Sequence, residues 1–195
     1  PPWPDTSERP LSPDDLLLAP ETQAPALPPY AERQLAWGHW GDAADRPDHV
    51  LPFEQAADGR VTRVRAHDLT LLRREPDGIS LSTQSLGQIA FRLDSAAATL
   101  YQHGQQSGMD VTAGTLDIDF SRQSFITALD LEHADTGALR FSMQGDVKDS
   151  GLLIGTSGNG ALVGAGSLDG TEAAYYFQHL IEQGQIEGTT LWGAP

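Results

Sequence analysis

Six histidines, 27 acidic side chains and no cysteine bound the chemistry open to this chain of 195 residues. The histidines, His39, His49, His67, His103, His133 and His179, include no pair at i, i+2 or i, i+4, the spacings that place two imidazoles on one strand or helix face as metal ligands. His133 with Glu132 and Asp135 offers nitrogen and oxygen ligands around a turn, and a solvated acidic turn accounts for the same residues. Asp117 and Asp119 share one face of an alternating run, as do Asp130 and Glu132, which is the spacing of a carboxylate pair for acid/base work. If Phe120 pairs with Phe125 in a hairpin, however, Asp119 stands opposite Ile126 and Asp117 opposite Ala128, where both are outward and solvated. The run Gly155-Thr156-Ser157-Gly158-Asn159-Gly160 comes near a nucleophile elbow, but asparagine stands where the last glycine belongs and no helical pattern follows. Gly158, Gly160, Gly164, Gly166 and Gly170 lack the spacing of a dinucleotide-binding turn. The chain is therefore read as a non-enzyme, with no catalytic residue, cofactor or metal site assigned.

Net charge narrows the choice further. At −15 the chain is repelled by phosphates and by anionic membranes, which argues against nucleic acid as a partner, and no run of apolar residues approaches a membrane span. The charge is uneven. Residues 33–75 balance seven arginines with seven acids, whereas residues 76–195 set fourteen acids against Arg92, Arg122, Arg140 and Lys148. Arg60, Arg63, Arg65, Arg73 and Arg74 are a candidate patch for an acidic partner or polysaccharide, although pairing with neighbouring carboxylates is the plainer account of them.

These side chains must be held by the elements that the hydrophobic pattern specifies. Residues 1–32 hold nine of the thirteen prolines and six acids against Arg9 alone, a composition expected to form an extended tail or linker, and the opening Pro-Pro-Trp-Pro reads as part of a longer chain. Within it, Ser12-Pro13 followed by Asp14, Asp15, Leu16, Leu17 and Leu18 has a capping serine, proline at the first helical position and acids in the first turn. Those five residues are a candidate docking segment for a partner; a helical turn packed on the domain is the simpler alternative.

From Leu35 onward the period is two. Leu116, Ile118 and Phe120 alternate with polar residues, as do Phe125, Thr127, Leu129 and Leu131, then Leu139, Phe141 and Met143, then Ala173, Tyr175 and Phe177. Asp135-Thr136-Gly137, Asp149-Ser150-Gly151, Gly158-Asn159-Gly160 and Asp169-Gly170 supply tight turns between them. The pattern predicts an all-β fold, an antiparallel meander over residues 33–195 closing into a small barrel of about eight strands. Gly145, Gly155, Gly164, Gly166 and Gly188 fall inside strands, where a barrel must bend or backbones approach closely. Strands are expected at Leu35 to Trp40 and Asp68 to Arg74 as well, and Asp94 to His103 reads equally as a capped helix or a strand. Trp37 and Trp40 at one end of the meander, with Trp192, Tyr175 and Phe177 at the other, are expected to seal the closure of first strand on last. A small hydrophobic ligand in the barrel is the sharper alternative, against apolar side chains that look sufficient to fill it.

The opening Leu35-Ala36-Trp37-Gly38-His39-Trp40, the hairpin from Leu116 through Asp119-Phe120 to Phe125, the Gly164-Ala165-Gly166 strand with Tyr175-Tyr176-Phe177, and the closing Gly188-Thr189-Thr190-Leu191-Trp192 resemble the C-terminal β-barrel of exported bacterial FecR-domain proteins. That barrel is in turn similar to the barrel of transferrin-binding-protein-like surface proteins. The resemblance implies a non-catalytic interaction module of a Gram-negative envelope protein, periplasmic or at the cell surface, with a protein partner in the envelope, no membrane insertion by this segment, and a role in FecR-type signalling. It also leaves open a lipocalin-like carrier of a small hydrophobic or haem-like ligand. Absence of cysteine suits an oxidising compartment.

Overall fold

The computed structural model describes residues 29–41, 46–80 and 86–195, so the candidate docking segment Asp14 to Leu18 lies outside the described residues. Along them run β1 (Leu35–His39), β2 (Val50–Pro52), the helical turn α1 (Phe53–Ala56), β3 (Val61–Ala66), β4 (Leu69–Arg73), β5 (Gln88–Gln102), β6 (Gln105–Asp119), β7 (Ser124–His133), β8 (Gly137–Val147), β9 (Leu152–Ser157), β10 (Gly160–Gly166), β11 (Glu172–Ile181) and β12 (Gly184–Gly193). Strands β5 to β12 form a closed eight-stranded barrel: each pairs antiparallel with the next, and β12 returns to pair with β5. Closure leaves these eight strands with no free edge strand, which is how so many alternating segments coexist without templating aggregation.

The alternating runs fill the barrel. Leu116, Ile118, Phe125, Leu129, Phe141, Met143, Tyr175, Phe177 and Trp192 belong to one contiguous buried cluster inside it. Aromatic contacts order the centre, with Phe141 and Phe177 rings 4.7 Å apart and Tyr175 and Trp192 rings 5.8 Å apart. Polar atoms drawn inside are paired: Thr127 Oγ1 donates to the Thr115 carbonyl at 2.7 Å and lies 2.9 Å from the Tyr175 hydroxyl, and the Trp192 indole donates to Thr190 Oγ1 at 2.7 Å.

Segment Asp94 to His103 resolves as strand. A bulge explains its ambiguity: β12 pairs Leu191 with Ser95 but Trp192 with Leu93, so Asp94 is skipped. Inward residues of β5 are consequently Ile89, Phe91 and Leu93 before the bulge and Ala98 and Leu100 after it, a phase change that erases a simple period of two. The hairpin register also differs from expectation. Ile118, not Phe120, pairs with Phe125, so Asp119 faces Ser124 and Asp117 faces Ile126; Phe120 starts a longer turn. The Asp119 carboxylate caps that turn, accepting from the Ser121 amide and hydroxyl and from the Arg122 amide, and these bonds hold its pKa below the usual carboxylate range.

The largest correction concerns the first strands. β1 and β4 are not barrel staves; with β2 and β3 they make a separate four-stranded sheet of order β2-β1-β4-β3. Period two marks a strand but not the sheet it joins, and the barrel already has its eight without them. Trp37 therefore does not seal first strand to last. It packs with Leu35, Val50, Val64 and Leu71 against the outer barrel residues Ala165, Ala174, Tyr176 and Leu191, and its indole donates to the Thr190 carbonyl at 3.1 Å. Trp40 lies exposed, stacked on Phe53. Of the strand glycines, Gly145, Gly155, Gly164 and Gly188 do mark close approaches, since a Cβ at any of them would collide with a neighbour, whereas Gly166 has ordinary space.

Candidate functional site

The five arginines do not converge on one surface. Arg60 is 7% exposed, and its guanidinium donates to the carbonyls of Ala56 and Arg33 at 3.1 and 2.8 Å and to that of Tyr30. Arg73 is 2% exposed and donates to the Ser150 and Gly166 carbonyls of the barrel at 2.7 and 3.0 Å and to Glu75. Burial thus removes these two from any surface patch. Arg63 pairs with Glu75 and Arg74 donates to the Arg33 and Ala31 carbonyls, leaving Arg65 exposed. Burial works against ionisation of Glu75, but hydrogen bonds from Arg63 and Arg73 outweigh it and hold its pKa below the usual range. These arginines hold the small sheet to itself and to the barrel.

Two further groups fix the same junction. Arg33 lies 3.7 Å from Asp94 and 3.5 Å from Glu172, and Glu172 accepts the Gln34 and Leu35 amides at 3.0 Å each. His49 is bonded to Thr189 Oγ1 at 2.9 Å and to Ser95 Oγ at 3.0 Å; burial, with the nearby Arg33 charge, lowers its pKa to about 4.

Among the described residues, other chemistry-bearing side chains are tied into their own turns and hairpins. Ser157 donates to Asn159 within its hairpin, and His133 bonds Ser107 and the Asp135 amide. Among the described residues no three His, Asp or Glu side chains group as metal ligands, and no helix is long and apolar enough to cross a membrane.

Where the small sheet overhangs the barrel, a cleft opens. Its roof is the two-residue turn between β3 and β4, His67-Asp68, with His67 at φ 54°, a left-handed conformation unfavourable for a residue with a Cβ. The outer part has a volume of about 660 Å³ and is lined by Arg46, His67, Asp68, Tyr101, Gln106 and Glu187 among others. A narrow inner part of about 80 Å³ reaches Val50, Ala97, Tyr176 and Thr189. Arg46 is paired with Asp68. Glu187 is oriented by its neighbours: its Oε1 accepts Gln185 Nε2 at 2.5 Å and Gln178 Nε2 at 3.2 Å, with His67 Nε2 3.5 Å away. Its Oε2 has no hydrogen bond among the described residues. Tyr176 is 6% exposed, and its buried hydroxyl lies beside the side chains of Glu187 and Gln178. Burial first, and then the Glu187 charge, push the phenols of Tyr101 and Tyr176 up. Such an arrangement holds a ligand by charge and hydrogen bonds; it contains no nucleophile paired to a base.

Sequence reasoning missed this cleft because its residues come from β3–β4, β5, β6, β11 and β12. One signal was present: Tyr175-Tyr176-Phe177 puts aromatics on both faces of one strand, which requires the outer face of the barrel to be covered there.

No protein-family model and no curated protein matches the chain. Solved structures similar to it include a single-site variant of transferrin-binding protein B from Haemophilus parasuis Hp5, at 12% identity over 65% of this chain and 30% of that one, with a TM-score of 0.44. Isotype 1 transferrin-binding protein B from serogroup B Neisseria meningitidis is 13% identical over 70% of this chain and 30% of its own, with a TM-score of 0.43. The bovine odorant-binding protein, in complex with a selenium-containing odorant, is 14% identical over 62% and 77% of the two chains, with a TM-score of 0.35. The match thus spans under a third of each transferrin-binding protein.

Proposed function

We propose that this chain is a non-catalytic β-barrel interaction module of an exported bacterial envelope protein, periplasmic or at the cell surface, which recognises a protein partner on its outer surface. The observation that supports it most is the barrel interior. Phe91, Phe120, Phe125, Phe141, Tyr175, Phe177 and Trp192 share one continuous buried cluster with the inward aliphatic residues, so the space where a lipocalin-like carrier would hold a ligand is filled by side chains. Recognition then falls to the outside: the clefts at the sheet junction, the surface around Arg65, and the segment Asp14 to Leu18. The resemblance of the Trp37-Gly38-His39-Trp40 and Thr189-Thr190-Leu191-Trp192 motifs to FecR-domain barrels supports cell-surface signalling as the setting.

Native mass spectrometry after incubation with haem, retinol and a long-chain fatty acid is expected to give the bare mass. Affinity capture from cell envelopes is expected to return one stoichiometric protein. A ligand retained one to one would overturn the reading in favour of a carrier.

A further inference from the structure

We propose that the free edge of β3 takes an added strand from the partner, an extended segment with aliphatic side chains on one face and a carboxylate on the other. This rests on the interaction-module reading above and names where that partner docks. β3 closes the order β2-β1-β4-β3, so one side of Val61–Ala66 pairs with β4 and the other side has no strand beside it. Among the described residues no other backbone group bonds to that edge. Alternate N–H and C=O groups therefore point into an unfilled position, which is the template that strand addition uses. The apolar contact between the sheets continues past this edge. Val64 and Ala66 are buried in the junction with the outer barrel residues Leu152, Val163 and Ala165. On the next stave Ile154, paired with Val163, is 40% exposed. Val61, on the barrel-facing side of β3 through its pairing with Arg73, is 45% exposed. Between β3 and these staves runs a groove of about 340 Å³ whose walls include Ala66, Ile154, Thr156, Ala161 and Val163. A strand added beside β3 lies over that groove and takes Ile154 out of water.

Charge selects among extended segments. Among the described residues no carboxylate lines the groove, although the chain carries 27 acids, and Arg65 stands exposed at its rim. Alternation puts Arg65 on the opposite face of β3 from Val64 and Ala66, so its cross-strand neighbour lies on the outer face of the added strand, where a carboxylate pairs with it. Arg63, at the bulge, is already held by Glu75. A second copy of the chain fits less well, because pairing β3 with β3 brings Arg63 and Arg65 of both copies onto one short ladder. The other edge of the small sheet is β2, whose three residues are too few to template such a strand.

Titration of the ¹⁵N-labelled chain with the peptide Thr-Val-Glu-Val-Thr-Val, blocked at both ends, tests this. Amide shifts are expected along Val61–Ala66 and at Ile154, Ala161 and Val163, with slowed hydrogen exchange at alternate amides of β3. Prolines at the second and fifth positions of the peptide remove one N–H from each of its edges and are expected to weaken binding about tenfold or more. Lysine in place of the glutamate is expected to weaken it about fivefold, and Arg65→Gln in the protein about threefold. Ile154→Thr is expected to weaken it about fivefold. Ile126→Thr, on β7 and outside this groove, is expected to leave the affinity within about twofold. Both isoleucines are exposed, so neither change is expected to unfold the chain. The edge assignment is overturned by an absence of shifts along β3, by undiminished binding of the proline peptide, by equal losses from Ile154→Thr and Ile126→Thr, or by a dimer that pairs through β3. A captured envelope partner that leaves the β3 amides unprotected in hydrogen exchange also overturns it and leaves the interaction module standing; edge binding with no captured partner does the reverse.

Discussion

His49 bridges the two sheets through side chains of β12 and β5, and it does so as a neutral ring. Its pKa in the folded chain, about 4, lies below the ordinary value of 6.5 that it regains on unfolding. The unfolded state therefore binds the extra proton as the medium acidifies. The contribution of His49 is complete above about pH 6.5 and is lost progressively as pH falls towards 4, a total of about 3 kcal/mol at roughly 1.4 kcal/mol per pH decade. Urea midpoints of the natural chain should fall between about pH 6.5 and 5, before most carboxylates titrate. In His49→Gln, whose amide can still bond Thr189 and Ser95, that slope should flatten. A slope unchanged by the substitution would show that other groups dominate. Arg73 and Arg63 make a second comparison. Both hold Glu75, but Arg73 is buried and also carries two barrel carbonyls, so Arg73→Ala should cost about 3 kcal/mol, as removal of one partner of a buried pair does. Arg63→Ala, at a partly exposed pair, should cost under about 1 kcal/mol. Chemical denaturation of the two variants reads the difference.

At the scale of elements, the barrel was legible because its inward positions repeat every second residue and its turns carry glycine and aspartate. Where that pattern is interrupted, reading failed for a definable reason. Asp94 sits at a bulge, so the strand changes phase within itself and mimics a capped helix. Strands β2 and β3 were not anticipated: β2 has only three residues, and β3 interposes Thr62, Arg63 and Arg65 among its apolar positions. The cleft was illegible for a different reason, since its walls are the β3–β4 turn and four barrel strands, and the turn meets those strands only because the small sheet docks where it does. Strand glycines, by contrast, were informative. At Gly164 a Cβ would fall within collision distance of the Ala174 carbonyl oxygen and 2.7 Å from the Tyr175 Cα, both backbone atoms with little freedom to yield. Gly164→Ala should therefore destabilise the barrel by about 2 to 3 kcal/mol despite adding a single methyl group. Gly166→Ala, with neighbours no nearer than 3.7 Å, should cost under about 1 kcal/mol and serves as the control in the same thermal melts.

Over the whole molecule, the uneven charge read from the sequence acquires a direction. The arginine-rich half is the small sheet, but Arg33, Arg60 and Arg73 are turned inward at its junctions, so they offset little of the acidity that a partner meets outside. The same junction couples the two sheets. Leu35, Trp37 and Leu71 share a buried cluster with Ala174, Tyr176 and Leu191, and separating the sheets would expose that apolar surface to water. One transition is expected on heating, with tryptophan fluorescence and far-ultraviolet circular dichroism giving coincident midpoints. Two separated midpoints would show that the small sheet melts alone. The wiring of the small sheet also bears on force. β1 is a central strand, with β2 on one side and β4 on the other, and its first amides are anchored to Glu172; β12 is likewise flanked on both sides, by β11 and β5. Leu35, where the small sheet begins, and Gly193, where the barrel ends, both sit at Glu172, the first bonded to its carboxylate and the second paired with its backbone, so the two ends of the described fold meet at one point. A pull on both ends therefore loads that single junction and not the length of either sheet.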